Sequence, residues 1–268
     1  MIGAIVGDIV GSRFEFHNHK SKEFELFVPN CRPTDDSVMT LAVAKALVSC
    51  NGELDDLCSV REKAIYWMQT VGRHYPRCGY GRSFFRWIFS LSPEPYESYG
   101  NGSAMRVSSC AFAARSLEQA KALSKAVTEV THNHPEGIKG AEATTVAIYL
   151  AKTGSSLEQI RREINENYYP LDFTLDDIRG SYRFSSRCQD SVPQAIEAFL
   201  ESTDFEDAIR NAVSIGGDSD TLAAIAGSIA EAFYGVPDDI RKKAESYLNS
   251  ELLGILREFE GYYGEVLN

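Results

Sequence analysis

The chain has 268 residues, with 27 Lys or Arg against 38 Asp or Glu, a formal net charge of −11. That acidic balance excludes a non-specific grip on nucleic acid, which needs a basic surface. It does not exclude a phosphate-bearing small molecule, because a metal or backbone N–H groups can carry that contact. With 44% hydrophobic and 24% charged residues, the composition is that of a globular protein with a real core.

The N-terminal stretch has no basic leader and meets Asp8 early, so no secretory signal is expected. Gly3, Gly7 and Gly11 would line one side of an apolar helix and let another helix approach closely. Asp8 within that helix needs a partner or a metal. Glu15 follows where the helix gives way to polar sequence, and by itself reads as a solvated glutamate. Residues 13–33 form a long non-helical stretch, of a length often used for lids or binding loops. His17 and His19 within it read as exposed, and 24–28 shows a short β-like alternation.

Apolar spacing then predicts helices over 37–50, 60–71, 84–91, 104–114, 117–130, 140–151 and 157–164. A second non-helical stretch covers 168–189, with β-like alternation at 181–184. Helices are predicted again over 192–200, 205–215, 221–234, 238–248 and 252–262. The longest apolar run, 222–233, is interrupted at Glu231 and is too short to span a bilayer. Neither strand signal has a partner beside it, and no solenoid period repeats. The expected fold class is all-α, as one domain over 1–268. The 6 cysteines form no Cys-x-x-Cys pair and read as reduced thiols of a cytoplasmic protein.

Chemistry concentrates in two similar clusters. Thr34-Asp35-Asp36-Ser37 opens one apolar helix, and Gly216-Gly217-Asp218-Ser219-Asp220-Thr221 opens another. Each alone is explained by capping, since Asp, Ser and Thr are favoured at helix N-termini. Together they offer four carboxylates and two hydroxyls, which would repel strongly without a counter-charge if the helix starts meet. Hard divalent cations on oxygen ligands solve that problem, and metal pairs about 3.5–4 Å apart serve hydrolysis. Tyr99-Gly100-Asn101-Gly102-Ser103-Ala104-Met105-Arg106 is a Gly-rich turn that lets a ligand approach the backbone, or simply a capped turn. Thr131-His132-Asn133-His134-Pro135 has too few ligands to hold a metal by itself and reads equally as a polar turn between helices. A Gly-x-Ser-x-Gly elbow and a P-loop are both absent, so a serine hydrolase and a P-loop nucleotidase have no support.

The motifs GAIVGDIVGSRFE, TDDS, YGNGSAMR, THNHPEG and GGDSDTLAAIAGSIAEAFYG occur in this order from Gly3 to Gly235. Each is weak alone. In sequence they resemble the ADP-ribosylglycohydrolase family, the ADP-ribosyl-acceptor hydrolases that include the dinitrogenase reductase-activating glycohydrolase. The resemblance implies a compact orthogonal helical bundle with two Mg2+, or Mn2+, held by Thr34, Asp35, Asp36, Asp218, Asp220 and Thr221. It implies that Gly100, Asn101, Gly102, Ser103, Met105 and Arg106 meet ADP-ribose or an ADP-ribosylated substrate, with His132 and His134 as another wall of the cleft. Glu15 matches a flexible glutamate that closes over the substrate in some members, and Asp35, Asp36 and Glu15 are the candidates for acid–base work.

Ser37 and Ser219 stand where the family usually has Thr, and both keep a hydroxyl. The segment between Glu15 and Thr34 is shorter than in some relatives, which bears on the flap role and on substrate choice. A monomer follows from the same resemblance, and no membrane contact is expected because the longest apolar run is too short to span a bilayer. The rival readings are a catalytically inactive, crystallin-like or ADP-ribose-binding relative, and a two-metal nucleotide phosphohydrolase.

Overall fold

The run Ile-Gly-Ala-Ile-Val-Gly-Asp-Ile-Val-Gly forms α1 (Ile2–Gly11), and every residue in it is buried. A helix that is apolar all round belongs in a core rather than on its surface. The computed structural model describes residues 1–264, so the last four positions of the expected 1–268 domain lie outside the described residues.

The remaining helices are α2 (Asp35–Val48), α3 (Leu57–His74), α4 (Arg82–Ile88), α5 (Ser108–Ala113), α6 (Leu117–Thr128) and α7 (Pro135–Lys152). They continue with α8 (Leu157–Asn167), α9 (Leu175–Arg179), α10 (Cys188–Leu200), α11 (Phe205–Ser214), α12 (Ser219–Tyr234), α13 (Asp238–Glu245) and α14 (Ser250–Tyr263). The fold is all-α, as expected. Among the described residues the only β-type pairing is an isolated antiparallel bridge between Gly100 and Arg187. No helix among them is long and apolar enough to cross a membrane.

Four expectations need correction. The helix expected over 104–114 begins only at Ser108, after a single 3₁₀ turn at Asn101–Ser103. The backbone there is diverted by a distant partner, since Asn101 N donates to Ser186 O and Cys188 N to Tyr99 O. α10 starts at Cys188 rather than 192 and carries Pro193 inside it. α9 lies within a stretch expected to be non-helical; a capping box between Thr174 and Asp177 starts it. Neither β-like run, 24–28 or 181–184, forms a strand; in the first, side chains take the carbonyls, Arg210 bonding Phe24 O and Tyr247 bonding Val28 O.

α12 is the hub, with α1, α11, α10 and α7 packed around it, while α2 is covered by α3, α14 and α1. The α1–α12 crossing is made close by small residues. A Cβ on Gly7 would stand 2.0 Å from the Ala223 carbonyl oxygen, and one on Gly3 2.2 Å from that of Gly227. Backbone cannot yield as a side chain tip can. Gly7→Val is therefore expected to cost about 3 kcal/mol or more, at the upper end of overpacking effects. Gly254→Ala in α14 meets nothing within 4 Å and should be neutral or stabilising by up to about 1 kcal/mol, the ordinary helix preference for Ala. Thermal melts of the two variants check both signs. The same crossing sets the site, because Gly11 lies against the backbone of Ser219 and Asp220.

Candidate functional site

Asp8 is the hinge of the site. It projects from α1 to the start of α2, where it accepts Thr34 N at 2.8 Å, Thr34 Oγ1 at 2.6 Å and Ser37 N at 3.0 Å. The Ser37 hydroxyl also donates to it. This buried carboxylate therefore caps another helix across the core. Burial pushes its pKa up, and these donors pull it back. Thr34 is the N-cap of α2, in an extended conformation with φ −112°.

The second helix start depends on two glycines. Gly216 (φ 68°) and Gly217 (φ 79°) occupy the left-handed region and turn the chain into α12. Asn18 grips this turn, accepting Gly217 N at 2.8 Å and donating to Gly217 O at 3.2 Å. Lys20 donates to Ile215 O. The stretch read as a lid over 13–33 is thus tied down in its middle. Within it His17 is exposed, but His19 is half-buried between Phe14 and Phe24, with ring centroids 5.2 and 5.4 Å away. That corrects the expectation of an exposed His19.

The two helix starts meet. Thr221 Oγ1 donates to Asp36 Oδ2 at 3.3 Å. Carboxylate oxygens of Asp8, Asp36 and Asp220 lie within 4.8 Å of one another, and so do those of Glu15, Asp218 and Asp220. Asp220 belongs to both groups. Burial raises the pKa of Asp36 and Asp220 well above the ordinary range, and for each the neighbouring carboxylates raise it further. Asp35 behaves alike, for the same causes. Asp218 is pushed up to about 6 by burial, against a hydrogen bond from Asn101 Nδ2 at 2.8 Å that holds it down. Glu15, half-buried, is pushed up to about 7 by burial and by Asp220 and Asp8. Glu15 is thus half-buried beside Asp218 and Asp220 rather than a merely solvated glutamate.

These residues form one end of a cavity of about 450 Å³, within the ordinary range for ligand sites. Glu15, Asp35, Asp36, Asp218, Asp220 and Thr221 all reach it. Gly100, Asn101, Gly102, Met105, Arg106 and His132 line it as well. Three expected site residues do not line it. Thr34 turns its hydroxyl to Asp8, and the Ser103 hydroxyl donates to Gly137 O at 2.9 Å. His134 caps α7, its Nδ1 accepting Glu136 N at 3.1 Å, so it is not a wall of the cavity.

Phe16, Tyr96 and Phe184 also line the cavity and were not singled out in the sequence; Arg82 lines it too, from the glycine-bearing run Gly79-Tyr80-Gly81-Arg82-Ser83, a weaker turn of the same kind as 99–106. Phe16 and Phe184 are 75% and 49% exposed and stack at the mouth, with centroids 6.5 Å apart. Their signal was the length of the two non-helical stretches that carry them. A shallower groove of about 640 Å³ shares Phe184 and Ser186 with the cavity and runs along 182–187.

The donor set fits hard divalent cations. It is all oxygen, with no Cys or His in either carboxylate group. Asp36 Oδ1 is buried without a hydrogen-bond partner, which leaves a buried charge-bearing atom waiting for a cation.

A family model described as ADP-ribosylglycohydrolase matches residues 1–263. The chain is 24% identical to the ADP-ribosylhydrolase ARH3 of Homo sapiens, over 94% of this chain and 90% of that protein. It is 26% identical to the ADP-ribosylarginine hydrolase Tri1 of Pseudomonas putida (strain GB-1), over 92% and 73% respectively. It is 28% identical to the ADP-ribosyl-dinitrogen reductase glycohydrolase of Rhodospirillum rubrum, over 88% and 85%. A solved structure described as an ADP-ribosylglycohydrolase-related protein complex shares the fold, with a TM-score of 0.66 and 22% identity over 96% of this chain and 95% of that one.

Proposed function

The chain belongs to the ADP-ribosylglycohydrolase family, and from that premise we propose that it hydrolyses the bond between the anomeric carbon of ADP-ribose and an acceptor group. The observation that carries this is the meeting of two acidic helix starts at one end of a ligand-sized cavity, with Asp220 common to both carboxylate groups. A shared carboxylate suits two cations side by side, Mg2+ or Mn2+ by donor type.

Asp35, Asp36, Asp218, Asp220 and Thr221 would hold them, joined by Thr34, whose hydroxyl keeps a lone pair after donating to Asp8. When bound, such ions supply the positive charge that orients substrate oxygens and makes water nucleophilic at neutral pH. Asn101 fixes the Asp218 carboxylate. Glu15, with a pKa pushed up to about 7, is suited to hold or release a proton at the leaving group, and Asp35 or Asp36 can serve the water. The array of carboxylates also favours the oxocarbenium-like charge that develops at an anomeric centre. Gly100 and Gly102 let a ligand come close to the backbone, and Met105 gives it an apolar contact.

Oxygen donors fill all six positions implied by the family, which supports catalysis over an inactive ADP-ribose-binding relative. The same reading takes the chain as a cytoplasmic monomer acting on ADP-ribosylated substrates. The test is a release assay on arginine-linked, serine-linked, O-acetyl and polymeric ADP-ribose, with Mg2+ and with chelator. Intact ADP-ribose from one linkage, only with metal, is the expected result. AMP or inorganic phosphate would mean a phosphohydrolase instead. Binding of ADP-ribose with no release from any linkage would mean a binding protein.

A further inference from the structure

Arg106 is only 1% exposed, and its hydrogen bonds run to Thr131 Oγ1 at 2.7 Å and Val127 O at 3.4 Å rather than to a carboxylate. The Phe84 ring lies 5.4 Å from its guanidinium carbon. Thr131, which accepts from Arg106, is itself fully buried and touches His132, also buried. The direction of each hydrogen bond in this chain can be assigned.

Arg106 can only donate, so Thr131 Oγ1 accepts from it. The hydroxyl proton then has two candidate acceptors, Thr128 O at 3.2 Å and His132 Nδ1 at 2.7 Å. Thr128 O already accepts Thr131 N at 3.1 Å and His132 N at 2.9 Å, which occupies both of its lone pairs. The shorter contact and the unoccupied acceptor coincide at Nδ1. Burial and the nearby Arg106 cation both disfavour the imidazolium form, and the His132 pKa lies well below its usual value. A neutral ring with an accepting Nδ1 carries its proton on Nε2. Nε2 lies 3.6 Å from where a Cβ would stand on either Gly100 or Gly102, so two missing side chains leave it open to the cavity.

We propose that Arg106 and Thr131 are positioning residues that lock His132 in its Nε2–H tautomer, so that the ring offers an N–H donor to an acceptor oxygen of the ligand between Gly100 and Gly102. Arg106 acts on His132 through Thr131. The identity of that oxygen rests on the function proposed above: in ADP-ribose the strongest proton-free acceptor is the diphosphate. The tautomer itself does not depend on that reading.

The test uses the full chain labelled with ¹⁵N at neutral pH. A long-range ¹H–¹⁵N correlation gives the tautomer of each of the 5 histidines, and His132→Asn identifies the His132 signals by their loss. A bare Nδ1 and a protonated Nε2 are expected. An Nδ1–H form or an imidazolium in the wild type overturns the proposal. Thr131→Val should shift His132 toward a mixture of tautomers and weaken ADP-ribose binding in calorimetry about tenfold, one hydrogen bond's worth. Thr131→Ser should restore both. An unchanged tautomer in Thr131→Val overturns the relay, and unchanged affinity overturns the donor role. If the wild-type chain does not bind ADP-ribose at all, the function reading fails while the tautomer still decides the positioning claim.

Discussion

Asp36→Asn is expected to remove metal-dependent turnover while making the metal-free protein harder to unfold. The two effects have one cause. Asp36 is 3% exposed, one of its oxygens has no partner, and the other only receives Thr221 at 3.3 Å. Its charge costs stability through burial first and then through Asp220, Asp8, Asp35 and Asp218. Asn keeps the shape, removes the charge and supplies an N–H₂ donor to the carboxylates around it. The rate should fall by at least about 100-fold, since even residues that only support metal ligands cost 10–100-fold. The melting temperature in chelator should rise by a few degrees, with 2–4 °C for roughly each kcal/mol in a chain of this size.

Asp8→Asn is the contrast. That carboxylate accepts from the backbone N–H and hydroxyl groups of both Thr34 and Ser37, and an amide cannot accept them all. The metal-free melting temperature should fall by the equivalent of about 1–3 kcal/mol. Turnover of Asp36→Asn near the wild-type rate would sink the metal assignment. A drop in its metal-free stability would sink the account of like-charge strain.

The glycine spacing in α1 announced a close helix approach, and the structure supplies the partner, α12, with Gly227 and Ala223 at the contact. Periodicity located the long helices because each buries a continuous face. It failed over 104–107, just after Tyr99 and Asn101 bond the backbone of 188 and 186 and override local preference. Nothing in a helical period reports such a pairing between residues more than eighty positions apart. The short α9 was legible in principle, since Thr174 and Asp177 form a capping box, but five residues give periodicity too little to work on.

The chemistry was legible as composition and illegible as geometry. Asp35, Asp36, Asp218 and Asp220 stood out because two helix starts carried the same residues. That they meet follows from the α1–α12 crossing and from Asp8 bridging to α2, which no local pattern encodes. Glu15 looked solvated because it lies past the end of the apolar helix, where a non-helical stretch begins; its neighbours in space are Asp218 and Asp220. His134 looked like a partner of His132, yet its place just before Pro135 makes it the cap of α7. Residues 13–33 had the length of a lid, but Asn18, Lys20 and the Phe14–His19–Phe24 cluster anchor the segment.

Metal-free stability is expected to fall as pH rises between about pH 5 and pH 8, and added Mg2+ to reverse most of that fall. Asp218 has an ordinary pKa of 3.8 and is raised to about 6 in the fold, and Glu15 is raised from 4.5 to about 7. A raised folded value means that the folded state binds the proton more tightly than the unfolded chain. The stability this gives is complete below the unfolded pKa and is lost as pH climbs through the folded one. The loss therefore begins near the unfolded values and runs through about 6 for Asp218 and 7 for Glu15, with Asp35, Asp36 and Asp220 extending it upward.

Asp218, almost wholly buried, contributes on the order of 3 kcal/mol in all, of which roughly half is lost between pH 5 and pH 8. Cations bound to the same carboxylates compete with protons, so the melting shift from Mg2+ should grow with pH. At a hundredfold excess over its dissociation constant a ligand adds about 2.7 kcal/mol. Melts across the pH series, in chelator and in Mg2+, measure both trends. The chain carries a net charge of −11, so general repulsion also grows with pH, and the difference between wild type and Asp220→Asn isolates the cluster from it. A wild-type-minus-variant difference that is flat with pH would remove the electrostatic argument. An Mg2+ shift equal at both ends of the range would mean that the cation binds somewhere other than these carboxylates.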